Sequence, residues 1–293
     1  MIKMNIDLHI HSNYSDGAYT PSELVSMAAQ LGVKVIAIAD HDSVSGVTDA
    51  VSCGQNYGIE VIPAVELSVQ FDSFRDVHLL GYGINYRDEA FLGKIIEFRI
   101  RREHRNIEIV ERVNTQLIAE GRDVITIDEV LAFARDAIGR PHIARVLLER
   151  KYVYNLEDAF QRYLVPCNIP KSYWEMDDAI HDIHRIGGVA VLAHPTSISK
   201  DLQDLRRVIS KLKDLGLDGI EVFNNMGWPQ EIEFLRRLAT ELDLLVTAGS
   251  DFHGIEHGME IGKGREGICF DSSLLAPLIT KIQERRNITN QNS

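Results

Sequence analysis

The 293-residue chain is 45% hydrophobic and 25% charged, a globular balance with ample length for a sizeable core, which excludes a disordered or collagen-like polymer. Its 31 Lys plus Arg against 43 Asp plus Glu leave a net charge of −12, so an extended basic groove for long nucleic acid is excluded, while a local basic cluster could still hold one phosphate or a short oligonucleotide. Cys53, Cys167 and Cys269 lack CxxC spacing and fit neither a disulfide framework nor a thiolate zinc site, pointing to a reducing cytoplasm; no apolar run approaches the roughly 18 residues of a membrane span.

Seven short apolar runs rich in β-branched residues, at 6–10, 35–39, 61–65, 77–80, 189–193, 219–223 and 245–248, read as buried parallel strands. After the first, Thr20-Pro21-Ser22-Glu23 predicts an N-cap, a first-turn proline and a capping-box partner for a helix that Gly32 ends. The spacing breaks once, between 80 and 189, by about 110 residues, far beyond an ordinary crossover. That interval opens with a long charged helical pattern at 89–121, then a second capping box in Thr126-Ile127-Asp128-Glu129 and helical stretches at 143–150 and 156–163. Residues 93–170 are accordingly read as a helical insertion, with 1–92 and 171–293 forming the main domain. Helical periodicity resumes at 177–186, 201–215 and 230–242, each close to a glycine or a strand. The alternation predicts an α/β fold, either a (β/α) barrel or a doubly wound sheet. Only the tail NITNQNS reads as disordered.

Placing the histidines and carboxylates on these strands brings out the chemistry. The first strand carries Asp7, His9 and His11, followed by Asp16; the second ends in Asp40-His41-Asp42, the third in Glu66; the fourth contains His78; the fifth ends in His194 and the seventh in Asp251-Phe252-His253. Six of the eleven histidines thus lie at the ends of five strands, where α/β folds gather their active sites. One such histidine is ordinarily a satisfied polar residue; six interleaved with carboxylates are not. His9-x-His11 places two imidazoles on one face of a strand, within reach of one ion. Imidazoles and carboxylates without cysteine suit manganese, iron or zinc with open positions. Asp7, Asp40 and Asp42 are candidates to orient ligand imidazoles by accepting their free N–H.

DLHIHSNYSDG, IADHDSVSG, AVELS, VHLLGYG, VAVLAHP and AGSDFHG together resemble the polymerase-and-histidinol-phosphatase (PHP) family of metal-dependent phosphoesterases. Within the insertion, GRPHIARVLLERKYV and EDAFQRYLVPCNIPK resemble the subgroup of nucleoside 3′,5′-bisphosphate phosphatases and 5′-to-3′ exoribonucleases of short RNA ends. The resemblance implies a distorted (β/α)7 TIM-like barrel holding two to three divalent ions, manganese first and iron or zinc as alternatives. It implies one ion on His9, His11, Glu66 and Asp251, a second on Glu66, His78 and His194, and a third on Asp16, His41 and His253, with Asp16, Glu66, His194 and Asp251 central to catalysis. Some relatives carry histidine where Asp16 stands, and histidine near Asn224.

The activity implied is phosphomonoester hydrolysis by metal-activated hydroxide, on the 3′-phosphate of nucleoside 3′,5′-bisphosphates or on short 5′-phosphorylated oligonucleotides. A histidinol-phosphate phosphatase, which needs no nucleotide-sized cap, and a non-catalytic metal-binding module are the alternatives; a full ligand set weighs against the second. Arg140 and His142, at a helix start, are candidates for gripping a phosphate outside the metals, with Lys171 a weaker third. Arg99, Arg101, Arg102, His104 and Arg105 read as a solvated helix face, His181 and His184 likewise, and His257 has no assignment.

Overall fold

The computed structural model describes residues 5–133, 139–255 and 258–291. Strands β1 (Asn5–Ile10) and β2 (Val33–Ile38) run parallel, joined by α1 (Pro21–Gln30). The expected capping box starts this helix: Glu23 N donates to Thr20 Oγ1 at 3.2 Å and Thr20 N to Glu23 Oε2 at 2.8 Å, satisfying two otherwise orphaned donors. Helix α2 (Val47–Tyr57) then leads to β3 (Glu60–Val61), and β4 (Ala64–Phe71) and β5 (Phe74–Tyr82) follow.

The run at 61–65 is therefore not one strand but the junction of β3 and β4, and the strands are not all parallel. β4 pairs β5 antiparallel, and β5 pairs antiparallel with β7 (Val189–Leu192). Only Asp72 and Ser73 separate β4 from β5, too short for a parallel crossover, so the chain must reverse. The remaining neighbours are parallel, through β8 (Gly219–Phe223) and β9 (Leu245–Ala248), with α7 (Met176–Arg185), α8 (Leu202–Asp214) and α9 (Pro229–Glu241) as crossovers. The short β6 (Trp174–Glu175) adds to the far edge of β4.

Two sheets result, β1-β2-β3 and β6-β4-β5-β7-β8-β9. Their edges meet on both sides. Beyond β9, Asp251 N donates to His9 O at 2.8 Å and His11 N to Phe252 O at 2.9 Å; beyond β2, Asp42 N donates to Glu66 O at 2.8 Å. The ring β1, β2, β4, β5, β7, β8, β9 is the seven-stranded distorted barrel expected. Its two closures are made by the segments that carry His9, His11, Asp251, His41 and Glu66, so completing the barrel also assembles the site.

Between β5 and β6 run α3 (Glu89–Ala119), α4 (Ile127–Leu131), α5 (Arg140–Glu149) and α6 (Leu156–Ala159), the last continued by a π turn to Leu164. The first half of α3 packs Phe91 and Ile95 on the barrel core, while its second half packs Ile109, Val113 and Leu117 with Ile143, Leu147 and Tyr163 in a separate core. One helix thus crosses the boundary drawn at residue 93 and ties the two cores together. The tail is not disordered as far as residue 291: α10 (Leu275–Gln291) continues through it, because Leu278 and Ile282 are buried against the barrel, each stabilising the helix by roughly 1.5–3 kcal/mol, and Arg286 donates to Gly83 O at 3.0 Å.

Candidate metal centre

On β1 alternate side chains share a face, and His9 Nε2 and His11 Nε2 lie 3.1 Å apart at its end. They stand 3.4 and 3.2 Å from Glu66 Oε2 and 3.5 and 3.1 Å from Asp251 Oδ1, a four-donor cage. The other Glu66 oxygen, Oε1, is 3.1 Å from His78 Nδ1 and 3.2 Å from His194 Nε2, which are 3.2 Å from each other. Asp16 Oδ1 is 3.3 Å from His253 Nε2, and Asp16 Oδ2 3.9 Å from His41 Nε2. The nine residues named as ligands gather at one mouth, but the sets compact enough to share an ion among the described residues, His11 with Asp16, His41 and His253, His9 with His11 and Asp251, and His41 with Glu66 and His78, overlap the implied groups without coinciding with them. Two residues reach further than expected: His11 also faces Asp16, and His41 Nδ1 is 2.9 Å from Glu66 Oε2.

These residues fit divalent ions. Glu66 Oε2, His41 Nδ1 and Asp16 Oδ1 are buried and crowded by one another and by neighbouring imidazoles, yet none of these approaches has the geometry of a hydrogen bond, an arrangement that costs free energy unless a cation receives their lone pairs. The donors are nitrogen and carboxylate oxygen without thiolate, a borderline-to-hard set. The electrostatics agree. Burial opposes charge on Glu66 and Asp251, yet the surrounding imidazoles outweigh it and hold both carboxyls well below their ordinary range. Burial likewise opposes protonation of His11 and His78, but their carboxylate partners raise them to about 10 and about 9. In His41 burial wins, and the imidazole falls to about 4. Protons on His11 and His78 occupy the place a cation would take.

The backbone is strained where it aims these groups. Asp42, Asp76, His194 and Asp251 all have positive φ, of 49°, 59°, 26° and 57°, values that non-glycine residues rarely adopt. Gly249 is needed for contact: a Cβ there would meet His9 Cβ at 2.2 Å.

None of Asp7, Asp40 and Asp42 orients an imidazole. Asp7 accepts backbone N–H groups from His9, Ser250 and Gly262, tying β1 to the loop after β9. Asp40 accepts Ser12 N, Ser12 Oγ and Ser15 Oγ, and Asp42 accepts Ser68 N, Ser68 Oγ and Arg102. Short side chains and backbone amides lie nearer to these carboxylates than any imidazole N–H. The orienting carboxylate is one the sequence reading missed, Glu221, fully buried on β8. Its Oε1 is 2.9 Å from His9 Nδ1 and its Oε2 accepts His194 N at 3.0 Å. A lone carboxylate inside the apolar run GIEVF was the available signal. Asn224, where relatives differ, shapes the next turn by accepting Met226 N and Gly227 N.

Beside the cluster, under the helical insertion, lies a cavity of about 170 Å³ lined by Asp16, His41, His78, Arg102, Arg105, Arg140, His142 and Lys171. The three expected phosphate candidates are all there, but so are two residues assigned to a solvated helix face. Arg102 and Arg105 continue the buried series Phe91, Ile95, Phe98 along α3, so the spacing that buried the apolar residues turns both arginines inward. Arg102 donates to Asp42 at 2.6 Å and Lys171 to Asp76 at 2.9 Å. Arg105 bonds Ile169 O and Asn168 Oδ1, and Arg140 bonds Asn168 Oδ1, all neutral; among the described residues neither pairs with a carboxylate. Burial, then the charge of Arg140, lowers the Arg105 pKa, against the smaller opposing pull of Tyr173 and Asp76. His142 is 3% exposed, and burial lowers it to about 4. Arg101 and His104 do face solvent, as does His181; His184 instead pairs with Asp218 at 2.7 Å, away from the cluster. His257 lies outside the described residues.

Residues 7–167 match the family model described as PHP domain. The chain is 33% identical over 260 residues to a 5′-3′ exoribonuclease of Haemophilus influenzae, covering 88% of this chain and 93% of that protein. It is 30% identical over 267 residues to a 3′,5′-nucleoside bisphosphate phosphatase of Chromobacterium violaceum, covering 88% and 90%. Among solved structures, a protein from Bifidobacterium adolescentis assigned as a metal-dependent phosphoesterase superposes with a TM-score of 0.81 at 29% identity, over 95% of this chain and 96% of that one.

Proposed function

The chain belongs to the PHP-domain family of metal-dependent phosphoesterases, and from that premise we propose that it removes the 3′-phosphate of nucleoside 3′,5′-bisphosphates and cleaves short 5′-phosphorylated oligonucleotides. The observation that carries this reading is the pair of guanidinium charges, Arg105 and Arg140, held without a carboxylate partner among the described residues and directly beside the histidine and carboxylate cluster. Both substrate types present a second phosphate roughly one nucleotide away from the reacting one. That second anion satisfies the two arginines, and two parallel N–H donors from each suit a phosphate edge. Histidinol phosphate has no second phosphate and would leave these charges unmatched.

Divalent ions, if held by these imidazoles and carboxylates, would supply Lewis acidity that acidifies a water and neutralises the phosphoryl oxygens. The protein's own part is to hold the donors in place: Glu66 joins the first two groups through its two oxygens, Glu221 fixes His9 and the backbone of His194, and the strained turns at His194 and Asp251 point their side chains into the mouth. Lys171, Arg102 and His142 line the approach together with Arg105 and Arg140.

The test is phosphate release, with added manganese, from adenosine 3′,5′-bisphosphate, histidinol phosphate and an aryl phosphate, alongside nucleotide release from a 5′-phosphorylated RNA dinucleotide. The bisphosphate and the dinucleotide should lead, and elemental analysis of loaded protein should exceed one metal per chain. A lead for histidinol phosphate, or a single metal at saturation, refutes the proposal.

A further inference from the structure

A second groove, of about 450 Å³, is formed by the loops after β7, β8 and β9 and shares no lining residue with the arginine cavity. Among its lining residues is Ser197, whose Oγ is 3.0 Å from His194 Nδ1, so the groove borders the cluster at His194. Its wall holds Met226 and Trp228, which are 38% and 53% exposed, large apolar side chains in a polar surface. The guanidinium of Arg265 lies 4.1 Å from the Trp228 ring centroid, covering one face while half of the side chain stays open. Arg265 bonds Asn225 O and, among the described residues, no carboxylate. Lys200 lies at the rim, 3.7 Å from Glu231. In a chain of net charge −12, an open indole backed by an arginine is an unusual local exception.

We propose that Trp228, with Met226 and Arg265, is the stacking platform for the nucleobase on the far side of the reacting phosphate, the one that only an oligonucleotide possesses. This rests on the proposed nucleotide activity. With one phosphate held by Arg105 and Arg140 and the reacting phosphate at the cluster, the chain of an oligonucleotide leaves the mouth past His194, onto this groove. A nucleoside 3′,5′-bisphosphate ends at the cluster and does not reach it. An indole face accepts any base, and the adjacent guanidinium meets the next phosphate. The platform is fixed beforehand: Trp228 N donates to Glu231 Oε2 at 2.8 Å at the start of α9, and Pro229 follows it.

The experiment measures kcat/KM of wild type, Trp228→Ala and Trp228→Phe on 5′-phosphorylated adenylyl-adenosine and on adenosine 3′,5′-bisphosphate. Trp228→Ala should lose roughly 10-fold or more on the dinucleotide, several times its loss on the bisphosphate, and Trp228→Phe should restore most of it. Equal losses on both substrates, or none on the dinucleotide, overturn the assignment. Should the wild type turn over neither substrate, it is the proposed activity that fails, and the platform is then decided by binding. Quenching of indole fluorescence by the dinucleotide in wild type, lost in Trp228→Ala, upholds it, and absence of quenching overturns it.

Discussion

The metal cluster and the arginine wall face one cavity but are built differently. The cluster residues sit on the barrel strands or in the turns that leave them, each close to a neighbouring ligand, and the barrel closes through the same segments. The wall belongs to the insertion and to the chain returning from it; Arg102 and Lys171 are held by Asp42 and Asp76, while Arg105 and Arg140 hang on long side chains from α3 and α5, anchored by neutral contacts such as Asn168. On the proposed function, the difference teaches that the reactive centre is a property of the barrel, while what surrounds the non-reacting part of a substrate is decided by a second core. A change in the cluster should therefore disable every substrate, and a change in the wall should disable only some.

Glu66→Gln strikes the point where the first two donor groups meet. It should lower turnover of every phosphate ester by at least about 10³-fold and reduce bound metal in elemental analysis, because one neutral amide cannot replace a carboxylate serving two groups. Retention of a tenth of the activity would remove Glu66 from the centre. Arg140→Ala sharpens the contrast: the loss on a nucleoside bisphosphate should be roughly 2 to 4 kcal/mol in kcat/KM, and much smaller on an aryl phosphate. Equal losses would move Arg140 to the reacting phosphate, and the wall would no longer be a separate region.

Glu221→Gln probes the support behind the cluster. The amide keeps the size of the side chain but weakens its hold on His9 Nδ1, so manganese affinity should drop by about 10- to 100-fold while the circular dichroism spectrum stays unchanged. Affinity equal to wild type would show that His9 needs no orienting partner. The smallest effect is on stability. In metal-free protein His11 and His78 titrate at about 10 and about 9, above the ordinary 6.5, so the stability they contribute is complete below about pH 6.5 and is lost as pH rises through 9 and 10. Glu66 and Asp251 act oppositely: their contribution is present above the ordinary carboxyl range and disappears in acid. Metal-free protein should therefore melt at falling temperature from pH 7 to pH 10. Manganese, displacing those protons, should remove that slope. Parallel melts that keep the same slope with and without manganese would contradict the assignment of these imidazoles to the metal.

The cluster was legible because imidazoles and carboxylates at strand ends are conspicuous in apolar runs, and period-two alternation gives their direction without any tertiary knowledge. His9 and His11 needed only that rule, whereas Glu66, His78 and Asp251 stood out by their places in or near strand ends and took their ligand roles from the family resemblance. The inward turn of Arg102 and Arg105 was legible in principle, since they continue the helical spacing of Phe91, Ile95 and Phe98, but a run of five basic residues read as a solvated face hid it. The antiparallel β4–β5 pair could likewise have been taken from the missing crossover helix.

By itself the sequence determined six strands of the ring, the capped helices, the interruption at the insertion and the set of metal-ligating residue types, because each rests on local periodicity or on the chemistry of single side chains. Only the tertiary structure decided which donors share an oxygen of Glu66, that Asp7, Asp40 and Asp42 hold loops rather than imidazoles, that Glu221 supports His9, and that Trp228 and Arg265 meet beside His194. These depend on distances between segments up to more than two hundred residues apart, set by barrel closure and by short-range competition among donors, which no local pattern encodes.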